Sequence, residues 1–313
     1  MIHVLYITRN LKDYVDRSFF YFAAALSKAC HLQLWHEDGN IQVILRQLPN
    51  RPDFILLNDF RDNECPHISG LSDLDIPYGA IMHDLHYRVE ARKKYILDNH
   101  INHLFTVYRD AFKQTYPEFM KRMHWFPHFV DTSIFYDYKL AKDIDYLLLG
   151  CTVKKYYPLR RLILDQMKHI PGFVSHEHPG YKNITEQERS TVKVGMDYAM
   201  ELNRAKIFLT CDSIYHYPLR KYYEALACKS LLLAPQSKEL IDLGFVPDKH
   251  FIAITEQDFL EKATYYINNK EEREQIAEAG YRFVHQKHST TVRVAELLRL
   301  MKAIIKDEAH SSQ

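Results

Sequence analysis

The strongest constraint on this chain is a rhythm of short, nearly unbroken apolar runs separated by longer stretches of helical period. In the first half the runs are IHVLYIT (2–8), HLQLWH (31–36), DFILLN (53–58), YGAIMH (78–83), HLFTVY (103–108) and MHWFPH (123–128). Continuous runs of this length, as opposed to alternating ones, suit strands covered on both faces. Strands separated by helices pair in parallel, because a parallel neighbour requires a crossover. An apolar-periodic helix ending near Ser27 and Lys28 separates the first two runs, and 91–99 and 111–121 read as helical or partly so. The rhythm breaks at DTSIFYDYKLAKDID (131–145). It resumes with YLLLG (146–150), GFVSH (172–176), AKIFLT (205–210), SLLLAP (230–235) and FIAI (251–254), with helices expected around 158–169 and 218–228.

The last fifty residues read as helices over 256–268, 270–286 and 290–306. Thr255 is placed to cap the first of these, with Asp258 at its third position, and AHSSQ is expected to fray. The expected class is α/β, with two such units in tandem. The expected boundaries are 1–135 for the first domain, 136–288 for the second, and 289–313 for a helix packing back toward the first.

At 313 residues, 47% hydrophobic and 26% charged, the chain can bury two ordinary cores. A net charge of +1 supplies no basic field, so no stable nucleic-acid partner is expected. No apolar run approaches the roughly 20 residues that span a bilayer, and MIHVLYITRN reads as a core strand and not a signal peptide. The five cysteines (Cys30, Cys65, Cys151, Cys211, Cys228) are scattered. Cys151, Cys211 and Cys228 lie in apolar surroundings and read as small core residues. A reducing, cytoplasmic setting is expected, with docking on a membrane surface left open.

The awkward feature lies at two helix starts. HYPLRKYYEALACKS (216–230) begins as a helix, with Pro218 suited to its first position, yet Arg220 and Lys221 stand in the opening turn. Cations there oppose the helix dipole by roughly 0.3–1 kcal/mol each. YYPLRRLIL (156–164) repeats the pattern with Arg160 and Arg161. Two α/β units place strand C-terminal ends and helix N-termini at a cleft between domains. An anion such as a diphosphate at those N-termini would make the charges favourable. Lys154 and Lys155 add charge after Gly150. The plainer reading of these cations is a solvated surface. Glu224 stands one turn beyond Arg220, either as a surface pair or as a carboxylate able to accept hydrogen bonds from a ribose diol.

The segment LRKYYEALACKSLLLAP resembles the donor-site signature of GT-B glycosyltransferases, and specifically the spore-maturation CgeB-like group with its R-x-(F/Y)-E-x-(L/I)-A pattern. DIDYLLLG followed by YYPLRR, FPHFVDTSIFYDY and AGYRFVHQKHSTTVRVAELL resemble further segments of that group, so the likeness spans about 123–300. It implies a GT-B fold of two Rossmann-like domains with a cleft between them. It also implies a nucleotide-sugar co-substrate, UDP type, held mainly by the second domain, and no other cofactor. It places donor contacts at Lys154, Arg160, Ser213, His216, Arg220, Lys221 and Glu224, with Glu224 on the ribose. Retaining relatives carry a second Glu eight positions before Glu224; here that position is His216.

The acceptor, whether glycan, lipid, protein or small molecule, is then expected on the first domain. His83 and Asp84, just past the strand YGAIMH, are the candidates for a catalytic base and its partner, given a pKa near neutral. An inverting reaction needs such a base. A retaining one passes the proton to the departing phosphate and leaves His83 to orient groups. HEHPGY (176–181) reads as a loop and not a metal site, since zinc needs three or four converging ligands. There is no Walker loop or nucleophile elbow. A catalytically silent carbohydrate- or nucleotide-binding protein and a nucleotide-sugar epimerase remain as alternatives.

Overall fold

The structure is a computed structural model that describes residues 1–311. The chain divides into two compact units. The first comprises residues 1–127 together with the segment from Thr291 onward, and the second comprises His128–Thr290.

The N-terminal unit contains β1 (His3–Ile7), β2 (His31–Trp35), β3 (Gly39–Asn40), β4 (Phe54–Leu57), β5 (Ile68–Ser69), β6 (Tyr78–Met82), β7 (His103–Thr106) and β8 (Met123–Trp125). Six of these form a parallel sheet in the order β2-β1-β4-β6-β7-β8, and β3 pairs separately with β5. Its helices are α1 (Ser18–Leu26), α2 (Ile41–Gln47), α3 (Val89–Asp98) and α4 (Arg109–Thr115). The stretch 111–121, read as helical or partly so, is divided between α4 and a separate 3-10 turn over Pro117–Arg122, which Pro117 starts.

The C-terminal unit contains β9 (Ile144–Leu149), β10 (Phe173–His176), β11 (Ala205–Leu209), β12 (Leu231–Ala234) and β13 (Ile252–Ala253), in the all-parallel order β10-β9-β11-β12-β13. Around it lie α5 (Pro158–Met167), α6 (Met196–Arg204), α7 (Arg220–Ala227), α8 (Lys238–Asp242), α9 (Phe259–Asn268) and α10 (Lys270–Lys287). The unbroken apolar runs divide between two faces. Leu147, Leu149, Phe208 and Leu232 enter one core cluster, while Tyr146, Leu148, Ile207, Leu209, Leu231 and Leu233 enter the other. A run apolar at every position is what two covered faces require. α11 (Thr290–Ser311) runs through the beginning of AHSSQ, so Ala309 to Ser311 continue the helix; Ser312 and Gln313 lie outside the described residues.

In each main sheet the first strand is flanked on one side by the second and on the other by the third, so the strand order reverses beside it. Ligands of open α/β sheets bind at that reversal, outside the carboxyl ends of the strands. In the N-terminal unit the place lies between β1 and β4, and in the C-terminal unit between β9 and β11.

Candidate functional site

In the C-terminal unit, the segments leaving β9 and β11 lie side by side, because Leu209 pairs with Leu148. The Ile214 N–H donates to the Tyr156 carbonyl at 3.0 Å and ties the two turns together. Gly150 follows β9 at φ +118, a conformation that favours glycine. A Cβ there would stand 3.0 Å from Lys221 Cε and 3.2 Å from an Arg160 guanidinium nitrogen. Glycine thus lets two cations from two helix starts approach one backbone turn.

The two helix starts are alike in sequence but not in register. α5 begins at Pro158, as expected, whereas α7 begins at Arg220. The expectation that Pro218 opens the second helix is corrected, because Leu219 is extended at ψ 152° and holds Pro218 outside the helix. Arg160 is therefore the third residue of α5 and only 1% exposed. Its guanidinium donates to the Cys151 carbonyl at 2.8 Å and to Thr210 Oγ1 at 3.1 Å, joining the ends of the two strands, and lies 4.4 Å from the Tyr157 ring centroid. Arg220 and Lys221, the first residues of α7, remain partly exposed. Neither helix has a side-chain cap or an acidic residue in its first turn, so the amide-rich ends are left to whatever the turns can recruit.

Lys221 Nζ donates to Tyr198 Oη at 3.3 Å and sits 5.1 Å from that ring's centroid. Burial pushes the Tyr198 hydroxyl pKa well above its ordinary value, and the negative charge of Glu224 pushes it further. Glu224 is partly exposed while Tyr223 and Leu226 are buried, as a helix facing the core at those positions requires. Ser213 (φ +64) and His216 (φ +54) both occupy the left-handed region, at a cost of about 1–3 kcal/mol each for non-glycine residues. Ser213 is buried and its Oγ accepts from the Tyr215 N–H at 3.2 Å. The exposed His216 ring meets Asp212 Oδ2 at 2.8 Å. Lys154 is exposed on the first turn. Cys151, expected in the core, is half-buried there, because it lies in the turn beyond the end of β9.

In the N-terminal unit, β4 and β6 end beside one another and gather a charged network. His83 is 7% exposed. Its backbone N–H donates to Asp59 Oδ2 at 2.9 Å, its Nδ1 lies 3.4 Å from the same oxygen, and its ring stacks on Phe19. Nε2 approaches Glu64 Oε2 at 2.7 Å, near enough for an ion pair though off the line of a hydrogen bond. Asp59 also accepts from Arg92, and Asp84 from Arg61. Arg61 and Arg92 stand 5.4 and 5.7 Å from the Tyr87 ring centroid. Burial opposes a charge on His83, but Glu64 and Asp59 outweigh it and raise the pKa to about 9. The expectation of a near-neutral pKa is corrected: two carboxylates face this imidazole, and at pH 7 it is a cation. Asp59, Arg61, Glu64 and Arg92 were not anticipated. For Asp59, Arg61 and Glu64 the signal was the polar cluster NDFRDNE directly after the strand DFILL; Arg92 comes from α3.

His176 of HEHPGY pairs with Glu201 at 2.9 Å, and His178 accepts from the Gly180 N–H at 3.0 Å. Among the described residues no group of three or more His, Cys, Asp or Glu side chains is arranged to hold a metal ion, and no helix is long and apolar enough to cross a membrane.

Residues 160–299 match a family described as glycosyl transferase-like. The whole chain is similar in structure to sucrose-phosphate synthase from Thermosynechococcus elongatus, with a TM-score of 0.71 and 12% identity over 98% of this chain and 100% of that one. The chain has the GT-B fold. Two further GT-B structures are similar over nearly their whole length. Anabaena HepE in complex with UDP-glucose has a TM-score of 0.65 and 11% identity, covering 96% of this chain and 100% of that one. A glycosyltransferase from Rickettsia africae has a TM-score of 0.64 and 10% identity, covering 97% and 99%. The search of curated proteins gave no match. The GT-B likeness covers both units, whereas the family match begins at Arg160 and takes in all the expected donor residues except Lys154.

Proposed function

We propose that this protein is a glycosyltransferase that moves a sugar from a nucleoside-diphosphate sugar, UDP type, to a hydroxyl acceptor. The observation that carries the reading is the strand-order reversal between β9 and β11, where two uncapped helix starts meet Arg160, Lys221 and a glycine turn. Helix N-termini and converging cations suit a diphosphate. The UDP-glucose carried by the similar HepE structure and the family match support the same chemistry.

In this account Arg220, Lys221 and Lys154 face the diphosphate, and Glu224 accepts from the ribose hydroxyls. Ser213 and His216 shape the turn between them. Arg160 holds the two turns in place and adds its charge from below. These cations stabilise the leaving nucleoside diphosphate electrostatically, so the proposal needs no metal ion. Five unpaired cysteines accord with a cytoplasmic setting.

The N-terminal unit holds the acceptor, with His83 and Asp84 on its side of the reaction. A cation cannot accept a proton, so His83 acts as a hydrogen-bond donor and orients groups. Asp84, a third exposed and held by Arg61, receives the hydrogen bond of the acceptor hydroxyl. If Asp84 takes the acceptor proton the product is inverted; if the proton instead leaves with the departing phosphate the product retains the donor's anomeric configuration, and the anomer of the product decides between them. Turnover through a protonated His83 falls as pH rises through about 9; turnover through a neutral base would climb there instead.

Two measurements test the proposal. A thermal-shift panel of UDP, GDP, ADP and CDP should raise the melting temperature with at least one of them, by mass action. Release of nucleoside diphosphate from the corresponding sugar should accelerate with acceptor present. Binding without any release would leave a silent nucleotide-binding protein, and release of an isomerised sugar nucleotide would point to an epimerase.

A further inference from the structure

We propose that the acceptor carries a phosphate monoester, and that Arg88, with Arg61 and Arg92 gathered around the same Tyr87 ring, receives that phosphate just past Asp84. The proposal rests on the glycosyltransferase reading above and gives the class of acceptor that the N-terminal unit takes.

The geometry that carries it is a convergence of like charges. The guanidinium carbons of Arg61, Arg88 and Arg92 stand 5.4, 5.7 and 5.7 Å from the centroid of one ring, that of Tyr87. Arg61 comes from the loop after β4, Arg88 from the turn after β6, and Arg92 from α3. Tyr87 itself is 39% exposed. Its N–H donates to the Asp84 carbonyl at 2.9 Å and closes a turn, and Arg92 donates to the same carbonyl at 3.2 Å. Ring and cations are thereby fixed beside the carboxylate assigned to the acceptor hydroxyl.

The three arginines are not equally matched. Arg92 is 3% exposed and pairs with the buried Asp59, while its Nε makes no hydrogen bond. Arg61 is held by Asp84, with Glu64 at 3.7 Å. Arg88 has Asp62 at 4.0 Å, and these two side chains are 64% and 93% exposed. An ion pair so exposed is worth about 0–1 kcal/mol, so Arg88 can exchange Asp62 for a ligand at little cost. Its backbone is held at φ +46, in the left-handed region, where a non-glycine residue costs about 1–3 kcal/mol. The ring attracts each cation but carries no net charge to offset their mutual repulsion. A phosphate dianion does, and its oxygens accept the paired N–H groups that a guanidinium presents.

The test uses the full chain with UDP present, and methyl phosphate, the smallest such monoester, titrated by phosphorus NMR into wild type, Arg88→Ala, Arg88→Lys and Lys221→Ala. Arg88 is exposed, so a melting temperature within a few degrees of wild type will show each Arg88 variant folded. We expect Arg88→Ala to weaken methyl phosphate about tenfold, the scale of one charged hydrogen bond. Arg88→Lys should restore part of the loss, and Lys221→Ala should cause none. Flotation with phosphatidylcholine vesicles, with and without phosphatidic acid, separates two sources of the ester. Capture by phosphatidic acid that Arg88→Ala abolishes would place it on a lipid; methyl phosphate binding without capture would place it on a soluble acceptor. No binding of methyl phosphate to wild type, equal affinity in Arg88→Ala, or a loss in Lys221→Ala alone would overturn this inference while leaving the glycosyltransferase reading intact. A wild type that binds none of UDP, GDP, ADP or CDP would overturn that reading, and the acceptor role of these arginines with it.

Discussion

His83 shows how far a residue's environment can depart from its sequence neighbourhood. A histidine at a strand end beside an aspartate suggests a tunable base. The structure surrounds it with Asp59 and Glu64 and raises its pKa to about 9. Because the folded pKa exceeds the unfolded value of about 6.5, the pair's contribution to stability is fully present below pH 6.5 and is lost as pH rises through 9. Melting temperatures of wild type and His83→Gln, measured from pH 6 to 10, should therefore converge toward the alkaline end, the variant lacking the wild-type decline between 6.5 and 9. Equal pH slopes in the two proteins would contradict the ion-pair assignment. The position of His83 was legible because it ends an apolar run. Its partners were not, because Asp59 and Glu64 come from the neighbouring strand's loop, and only the parallel pairing of β4 with β6 brings them near.

At the scale of elements, the apolar strands could be read and some of the short helices between them could not. The strands of both main sheets lie where the apolar runs predicted; the inner ones are buried on two faces, while the edge strands β2, β8 and β10 are only partly covered. α2, α6 and α8, of 7, 9 and 5 residues, were not anticipated; helices this short draw more of their stability from packing than from propensity. Thr255 and Asp258 do interact, with the Thr255 N–H donating to Asp258 at 2.6 Å, but the regular helix begins later, at Phe259. Repetition of Tyr-Pro-Leu-Arg suggested equivalent helix starts, yet α7 begins two residues later in the motif than α5, which buries Arg160 and leaves Arg220 accessible. α10 carries a glycine in its interior for a packing reason. A Cβ at Gly280 would stand 2.4 Å from the His250 carbonyl oxygen and 2.7 Å from a Leu226 methyl. Alanine would gain about 1 kcal/mol in helix propensity and meet a backbone atom that cannot yield. Overpacking costs typically 1–3 kcal/mol, so Gly280→Ala should lower the melting temperature by a few degrees; an increase would show that the carbonyl moves freely.

At the scale of the whole molecule, the tandem α/β organisation was legible because two sets of buried parallel strands leave two series of apolar runs, and the similarity to GT-B structures extends across both. The chain passes between its two units twice, after Pro127 and after Thr290. The candidate donor cations stand out in the sequence because a charge at a helix start is locally costly and asks for an explanation. The central claim is that the cations at the strand-order reversal of the C-terminal unit bind a diphosphate, and titration of UDP and of uridine into wild type and Lys221→Ala tests it most directly. The account predicts that wild type binds UDP more tightly than uridine, and that Lys221→Ala loses at least about tenfold in UDP affinity, the scale of a charged hydrogen bond, with uridine nearly unchanged. Equal loss for both ligands in a folded variant, or no loss for either, would contradict it.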